Sequence, residues 1–105
     1  MTLDDLMDLA AATAPKSPNR VRQVGAAIAP ADGGVPIAAC NTFPAGVRDL
    51  AERHDGDGRF VWMEHAERNA IFAAARTGRV VAGARLATTF FPCYDCARAI
   101  VQSGI

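Results

Sequence analysis

His65-Ala66-Glu67 and Pro92-Cys93-Tyr94-Asp95-Cys96 are the two stretches that organise this chain of 105 residues. Together they hold one imidazole, two thiols and one carboxylate outside the ligand set. Imidazole nitrogen and thiolate sulfur are preferred donors for zinc, which takes four protein ligands in a structural centre and three plus an open position in a catalytic one. His65, Cys93 and Cys96 supply three. Glu67 lies two residues from the histidine and can act on whatever fills the fourth position without being a ligand. Cys93 and Cys96 are three apart, a spacing that brings both side chains onto one face of a helical turn. Both motifs fall where a helix is predicted to begin, and there the free amides and the positive dipole end favour thiolate over thiol. Cys40 and His54 are the spare donors, and neither is well placed for a structural site. Cys40 ends a predicted strand and reads as a small buried hydrophobe. A redox role for the Cys-x-x-Cys pair is the alternative, and it leaves His65 and Glu67 without a purpose.

Working outward, His65 to Thr77 reads as an alanine-rich helix ended by Gly78. Ala66, Ala70, Ala73, Ala74 and Thr77 give it a small-residue face suited to close core packing. Ala84 to Phe90 reads as a strand, and Pro92 as the first residue of a helix that runs to Gln102. Near the start of the chain, Thr2-x-x-Asp5 marks a helix start, with Leu3, Leu6, Met7, Ala10 and Ala14 at helical spacing until Pro15. Val21–Ala29 and Val35–Cys40 are short apolar runs around a Pro-Ala-Asp-Gly-Gly turn, which predicts an antiparallel hairpin. Pro36 belongs near a strand start or edge. Residues 41 to about 62 show no periodicity; a loop this long, just ahead of His65, is expected to serve function. No repeat or linker divides the chain, so residues 1–105 form one domain of order α-β-β-α-β-α, an α/β fold whose sheet is covered by helices.

Composition narrows the function. Eleven basic residues balance eleven acidic ones, giving a formal net charge of zero. Non-specific nucleic-acid binding depends on excess positive charge, so a nucleic-acid partner is not expected. No apolar run is long enough to span a membrane. The acidic stretch at Asp4-Asp5 is unlike the basic start of a signal peptide. Three cysteines, two of them in Cys-x-x-Cys, do not suggest a disulfide framework. The expected compartment is the cytoplasm.

The pattern His-x-Glu followed by Pro-Cys-x-x-Cys is a signature of zinc-dependent deaminases. Glu64-His-Ala-Glu-Arg-Asn-Ala-Ile71 and Phe91-Pro-Cys-Tyr-Asp-Cys-Ala-Arg-Ala-Ile-Val-Gln-Ser-Gly-Ile105 resemble the two zinc motifs of the cytidine and deoxycytidylate deaminase superfamily, and are closest to its deoxycytidylate branch. Gln23-Val-Gly-Ala26 is similar to that family's first strand, and Asn41-Thr-Phe-Pro-Ala-Gly-Val47 to its substrate loop, with Thr42 where glycine is usual. The resemblance implies a three-layer α/β/α fold around a mixed, five-stranded sheet, and a role for Asn41 in bonding the sugar of a bound nucleoside or nucleotide. Family members continue past the second motif with two more strands and at least one helix, whereas three strands are read here. The expectation is a shortened form, with a sheet edge exposed or covered by a partner, or an oligomer that completes the site.

The activity so implied is zinc-dependent hydrolytic deamination of a free cytosine nucleotide or nucleoside, with dCMP to dUMP favoured. Zinc lowers the pKa of a bound water from near 16 to about 7 and supplies hydroxide to attack the ring carbon. Glu67 shuttles protons from that water to the ring nitrogen and the departing amine. The alternatives are another aminated base as substrate, or a non-catalytic zinc domain that binds a partner; self-association is expected in either case. Phe43 is a candidate for stacking a base. Arg20, Arg22 and Arg48 are phosphate candidates that also suit solvated surface positions. His54, Asp55 and Asp57 form a possible second metal cluster, although the glycines between them favour a polar loop.

Overall fold

The hydroxyl of Thr2 accepts from the Asp5 amide at 3.0 Å, and the Asp5 carboxylate accepts from the Thr2 amide at 2.9 Å. This reciprocal capping box starts the first helix, α1 (Leu3–Thr13), as the sequence predicts. The Thr2 amide first, and then the Thr2 side chain, hold the Asp5 carboxyl below its ordinary range. The computed structural model describes all residues from Met1 to Ile105. Beyond α1 the chain makes a single 3₁₀ turn, Ala14–Lys16, with Pro15 at its start where no amide is needed.

The hairpin comprises β1 (Gly25–Ala29) and β2 (Ile37–Cys40), and a third strand, β3 (Arg85–Thr88), pairs on the other side of β1. The register sets Ala27 opposite Ala38 and Ala87. Both pairings are antiparallel, where the expected sheet was mixed. A parallel pair needs neighbouring strands that run the same way. β2 and β3 do run the same way, but β1 lies between them and they form the two edges.

All three strands are shorter than their apolar runs, for identifiable reasons. Asn19 Oδ1 accepts from the amides of Val21 and Arg22, both at 2.9 Å, and Asn41 Oδ1 takes the Val24 amide at 2.9 Å. Those donors are spent on side chains, so the ladder begins at Gly25. Pro36 offers no amide and β2 begins after it. At the end of β3 the Thr89 hydroxyl accepts from the Gly25 amide at 3.1 Å in place of a ladder carbonyl.

The three layers follow from alternation along β1. Ala27 and Ala29 pack with Leu6 and Ala10 of α1. Ile28 points the other way and packs with Ile37 and with Ala70 and Ala74 of the next long helix, α3 (Ala66–Arg76). β1 is buried on both faces. The small-residue face of α3 is core packing, with Ala66, Ala70 and Ala74 buried. α1 lies so close to β1 that a Cβ at Gly25 would run into the Ala10 carbonyl and come within 2.8 Å of the Ala14 nitrogen.

The segment 41–62 has more structure than its lack of periodicity suggests. Thr42 pairs with Glu64 in an isolated bridge, Ala51–Arg53 forms a 3₁₀ turn, and Gly58–Trp62 makes a one-turn helix, α2. Such short pieces cannot display a repeat. α3 ends in a Schellman turn at Gly78 (φ 68°), with the Arg79 amide on the Ala74 carbonyl at 2.9 Å. The last helix, α4 (Tyr94–Gln102), is capped by Cys93, so Pro92 precedes the cap and does not occupy the first helical position. Cys93 is extended (φ −70°, ψ 175°), which moves the helix start to Tyr94. No helix is long and apolar enough to cross a membrane.

Candidate active site

Two helix N-termini meet here. His65 is the N-cap of α3 and Cys93 the N-cap of α4, which places Glu67 and Cys96 in the first turns of the same helices. His65 is held by its neighbours: Thr42 and Glu64 exchange backbone hydrogen bonds of 3.0 and 2.7 Å, and Glu64 Oε1 accepts from the His65 amide at 3.1 Å. Glu64 also pairs with Arg68 one turn on, at 2.9 Å. The entry to α3 is therefore fixed from both sides.

His65 Nδ1 lies 3.3 Å from Cys93 Sγ and 3.3 Å from Cys96 Sγ. The three donor atoms all fall within 4.8 Å of one another. A tetrahedral zinc, with sulfur at about 2.3 Å and nitrogen at about 2.0 Å, sets those atoms about 3.5 Å apart. The residues fit the metal. Cys96 is fully buried, and its thiol is pushed well above its ordinary range by that burial, then by the negative charge of Glu67 and by Cys93. A buried sulfur between two acidic groups needs a cation before it becomes a thiolate, and a bound metal supplies one.

Glu67 is 4% exposed and takes part in no ion pair. It lines a cleft of about 340 Å³ together with His65 and Cys93. A buried carboxylate without a cationic partner is suited to taking up and releasing a proton.

Asn41 also lines this cleft and is 7% exposed. Its side chain bridges to the preceding loop, with Nδ2 donating to the Arg22 carbonyl at 2.8 Å while Oδ1 holds the Val24 amide. One N–H of the amide is left for another acceptor. Phe43 is elsewhere, buried beneath His54 with ring centroids 5.0 Å apart, edge to face. The aromatic side chains on the cleft wall are Phe60, Phe90 and Phe91. Phe90 and Phe91 sit just ahead of Pro92 and Cys93, a position that could have suggested them.

Of the three arginines weighed for phosphate, Arg22 lines the cleft and Arg20 and Arg48 do not. Arg59 lines it too, unanticipated because it lies in the aperiodic segment. Arg22 lies over the Phe90 ring at 4.0 Å and Arg59 over Phe60 at 4.5 Å. The possible second metal cluster does not form, since His65, Cys93 and Cys96 make the one group of three ligand-type side chains. His54 Nε2 pairs instead with Asp49 Oδ1 at 2.6 Å.

Comparison with known proteins bears on this geometry. Residues 1–105 match the family model of the cytidine and deoxycytidylate deaminase zinc-binding region. The chain is 33% identical over 113 aligned positions to a Drosophila melanogaster protein described as "Probable deoxycytidylate deaminase", an alignment covering 97% of this chain and 55% of the fly protein. It is 58% identical over 70 positions to the deoxycytidylate deaminase of Enterobacteria phage T2, covering 63% of this chain and 37% of the phage protein. The fold superposes on the dCMP deaminase of cyanophage S-TIM5 with a TM-score of 0.81 and 25% identity, covering 100% of this chain and 80% of that one. The phage S-TIM5 enzyme has also been solved with dCMP and dUMP. The chain spans about half the length, or less, of these two curated relatives. With the whole chain matched and the metal triad assembled, it belongs to the cytidine and deoxycytidylate deaminase family.

Proposed function

We propose that this chain carries the site for hydrolytic deamination of a free cytosine nucleotide, dCMP to dUMP. The observation that carries the reading is the convergence of His65, Cys93 and Cys96 within 4.8 Å beside the buried carboxylate of Glu67. His65, Cys93 and Cys96 would hold zinc, which when bound supplies a water acidic enough to react near neutral pH.

The protein's own residues do the rest. Glu67 takes one proton from the water and delivers it to N3 of the ring, then carries the second proton from the new hydroxyl on C4 to the amine, which leaves as ammonia. The water oxygen ends on C4 and the base becomes uracil. The cleft, at about 340 Å³, falls within the range of small-ligand sites. The free N–H of Asn41 suits a sugar hydroxyl. Arg22 and Arg59 face the same cleft and suit a 5′-phosphate, which supports a nucleotide over a nucleoside. The names of the relatives favour the same substrate.

Self-association belongs to the same proposal: in α4 only Cys96 is buried, while Tyr94 and Val101 are 84% and 74% exposed. A reducing compartment such as the cytoplasm suits three free cysteines. The test is ammonia release by the zinc-loaded chain from dCMP, deoxycytidine, cytosine, adenosine and guanine. Turnover of dCMP above deoxycytidine is expected. Turnover of a purine alone would overturn the substrate, and a preference for deoxycytidine would overturn the phosphate assignment.

A further inference from the structure

One side chain in α3 serves neither the metal nor the core. The Asn69 amide donates from Nδ2 to the Cys40 carbonyl at 2.9 Å and to the Thr42 hydroxyl at 3.0 Å. These two partners flank Asn41, which lines the cleft. Asn69 itself stands one turn along from His65, its backbone amide on the His65 carbonyl at 2.8 Å. Thr42 closes the circuit through its two backbone bonds to Glu64, the residue before His65. The helix that carries His65 and Glu67 therefore grips the chain on both sides of Asn41. A glycine at 42, usual in the loop this segment resembles, would offer Asn69 no hydroxyl.

We propose that Asn69 and Thr42 are a positioning pair that fixes Asn41 relative to the metal ligands and so sets substrate affinity. The effect falls on binding, because the two caps are held by the Asn69 amide on the His65 carbonyl and the Ala97 amide on the Cys93 carbonyl, bonds that do not involve the Thr42 hydroxyl. Thr42→Val keeps shape and branching but removes the acceptor, and Thr42→Ser keeps the acceptor. This rests on the deaminase reading, since it takes Asn41 as a substrate contact.

The experiment compares zinc-loaded wild type, Thr42→Val and Thr42→Ser by kcat and KM on dCMP, zinc content, and hydrogen exchange of the amides in residues 42–47. Thr42→Val is expected to raise KM about five- to tenfold, the scale of one lost hydrogen bond, with kcat and zinc content unchanged and loop exchange faster. Thr42→Ser is expected to restore KM and exchange together. An unchanged KM in Thr42→Val, a Thr42→Ser as impaired as Thr42→Val, or a fall in kcat and zinc content instead of a KM effect would overturn the proposal. A wild type silent on every substrate would refute the deaminase reading separately. The exchange arm would then judge the pair alone, with faster exchange in Thr42→Val but not Thr42→Ser supporting it and equal exchange overturning it.

Discussion

Cys96 carries the largest electrostatic conflict in the molecule. Its thiol is fully buried, lies near the Glu67 carboxylate and adjoins Cys93, so burial first and then these neighbours oppose its ionisation. Cys40 is also pushed up, by burial first. Because the folded pKa values lie above the unfolded value of 9.0, the folded state holds these protons more tightly. Their contribution to stability is complete below that pH and is lost as pH rises above it. Chelator-treated wild type should therefore lose more of its urea midpoint between pH 8 and pH 10, roughly the window around the unfolded value, than chelator-treated Cys96→Ser does. An identical loss in the two proteins would contradict the assignment. Cys96→Ser should also weaken zinc binding by more than the roughly 10- to 100-fold typical of outer-shell changes, read by competition with a chelator. At this scale the sequence was most legible: His65, Cys93 and Cys96 come within 4.8 Å of one another and Glu67 lines the same cleft, because a metal's demand for donor type and spacing is written in short motifs. The cleft-lining arginines and phenylalanines were harder to read. Arg59 and Phe60 lie in α2, whose single turn shows no period, and Phe43 is diverted into the core under His54.

The elements are positioned by a few backbone contacts that no propensity scale registers. Gly25 is the clearest, because α1 backbone occupies the space a side chain would need. Gly25→Ala should destabilise the fold by at least about 3 kcal/mol, the upper end of ordinary overpacking, since backbone cannot swing aside as a side chain would. A thermal midpoint unchanged from wild type would show that α1 and β1 separate more easily than the structure implies. Thr2→Ala should lower the midpoint more modestly by removing the hydroxyl bond of the capping box while the backbone amide at position 2 still donates to Asp5, and the stability Asp5 adds should fade as pH falls below the ordinary carboxylate range. The three longer helices and the three strands were read from the sequence pattern with success, while the one-turn α2 and the strand ends were not. Asn19 and Asn41 intercept amides that would have extended β1, and a long-range side-chain bond of that kind leaves no mark on local pattern.

The whole molecule is a three-layer sandwich in which one helix is poorly covered. α4 buries Cys96 and leaves Tyr94 and Val101 in solvent, beside Phe91 at 88% exposure. Sedimentation at working concentration should give a mass above the 11.0 kDa of one chain, and a monomer would contradict self-association. The layering was legible because β1 is apolar on both faces and helical runs flank the strands. The antiparallel order β2-β1-β3 was not, since which side of β1 the third strand joins depends on contacts far apart in sequence. Chemistry at the site is tested most directly by ammonia release from dCMP, measured for zinc-loaded wild type beside zinc-loaded Glu67→Gln. Wild type should turn over while Glu67→Gln keeps its zinc and slows at least about 100-fold, the lower range of a positioned acid–base group. A folded, zinc-loaded wild type that releases no ammonia, or a Glu67→Gln variant that matches it, would contradict the deaminase mechanism.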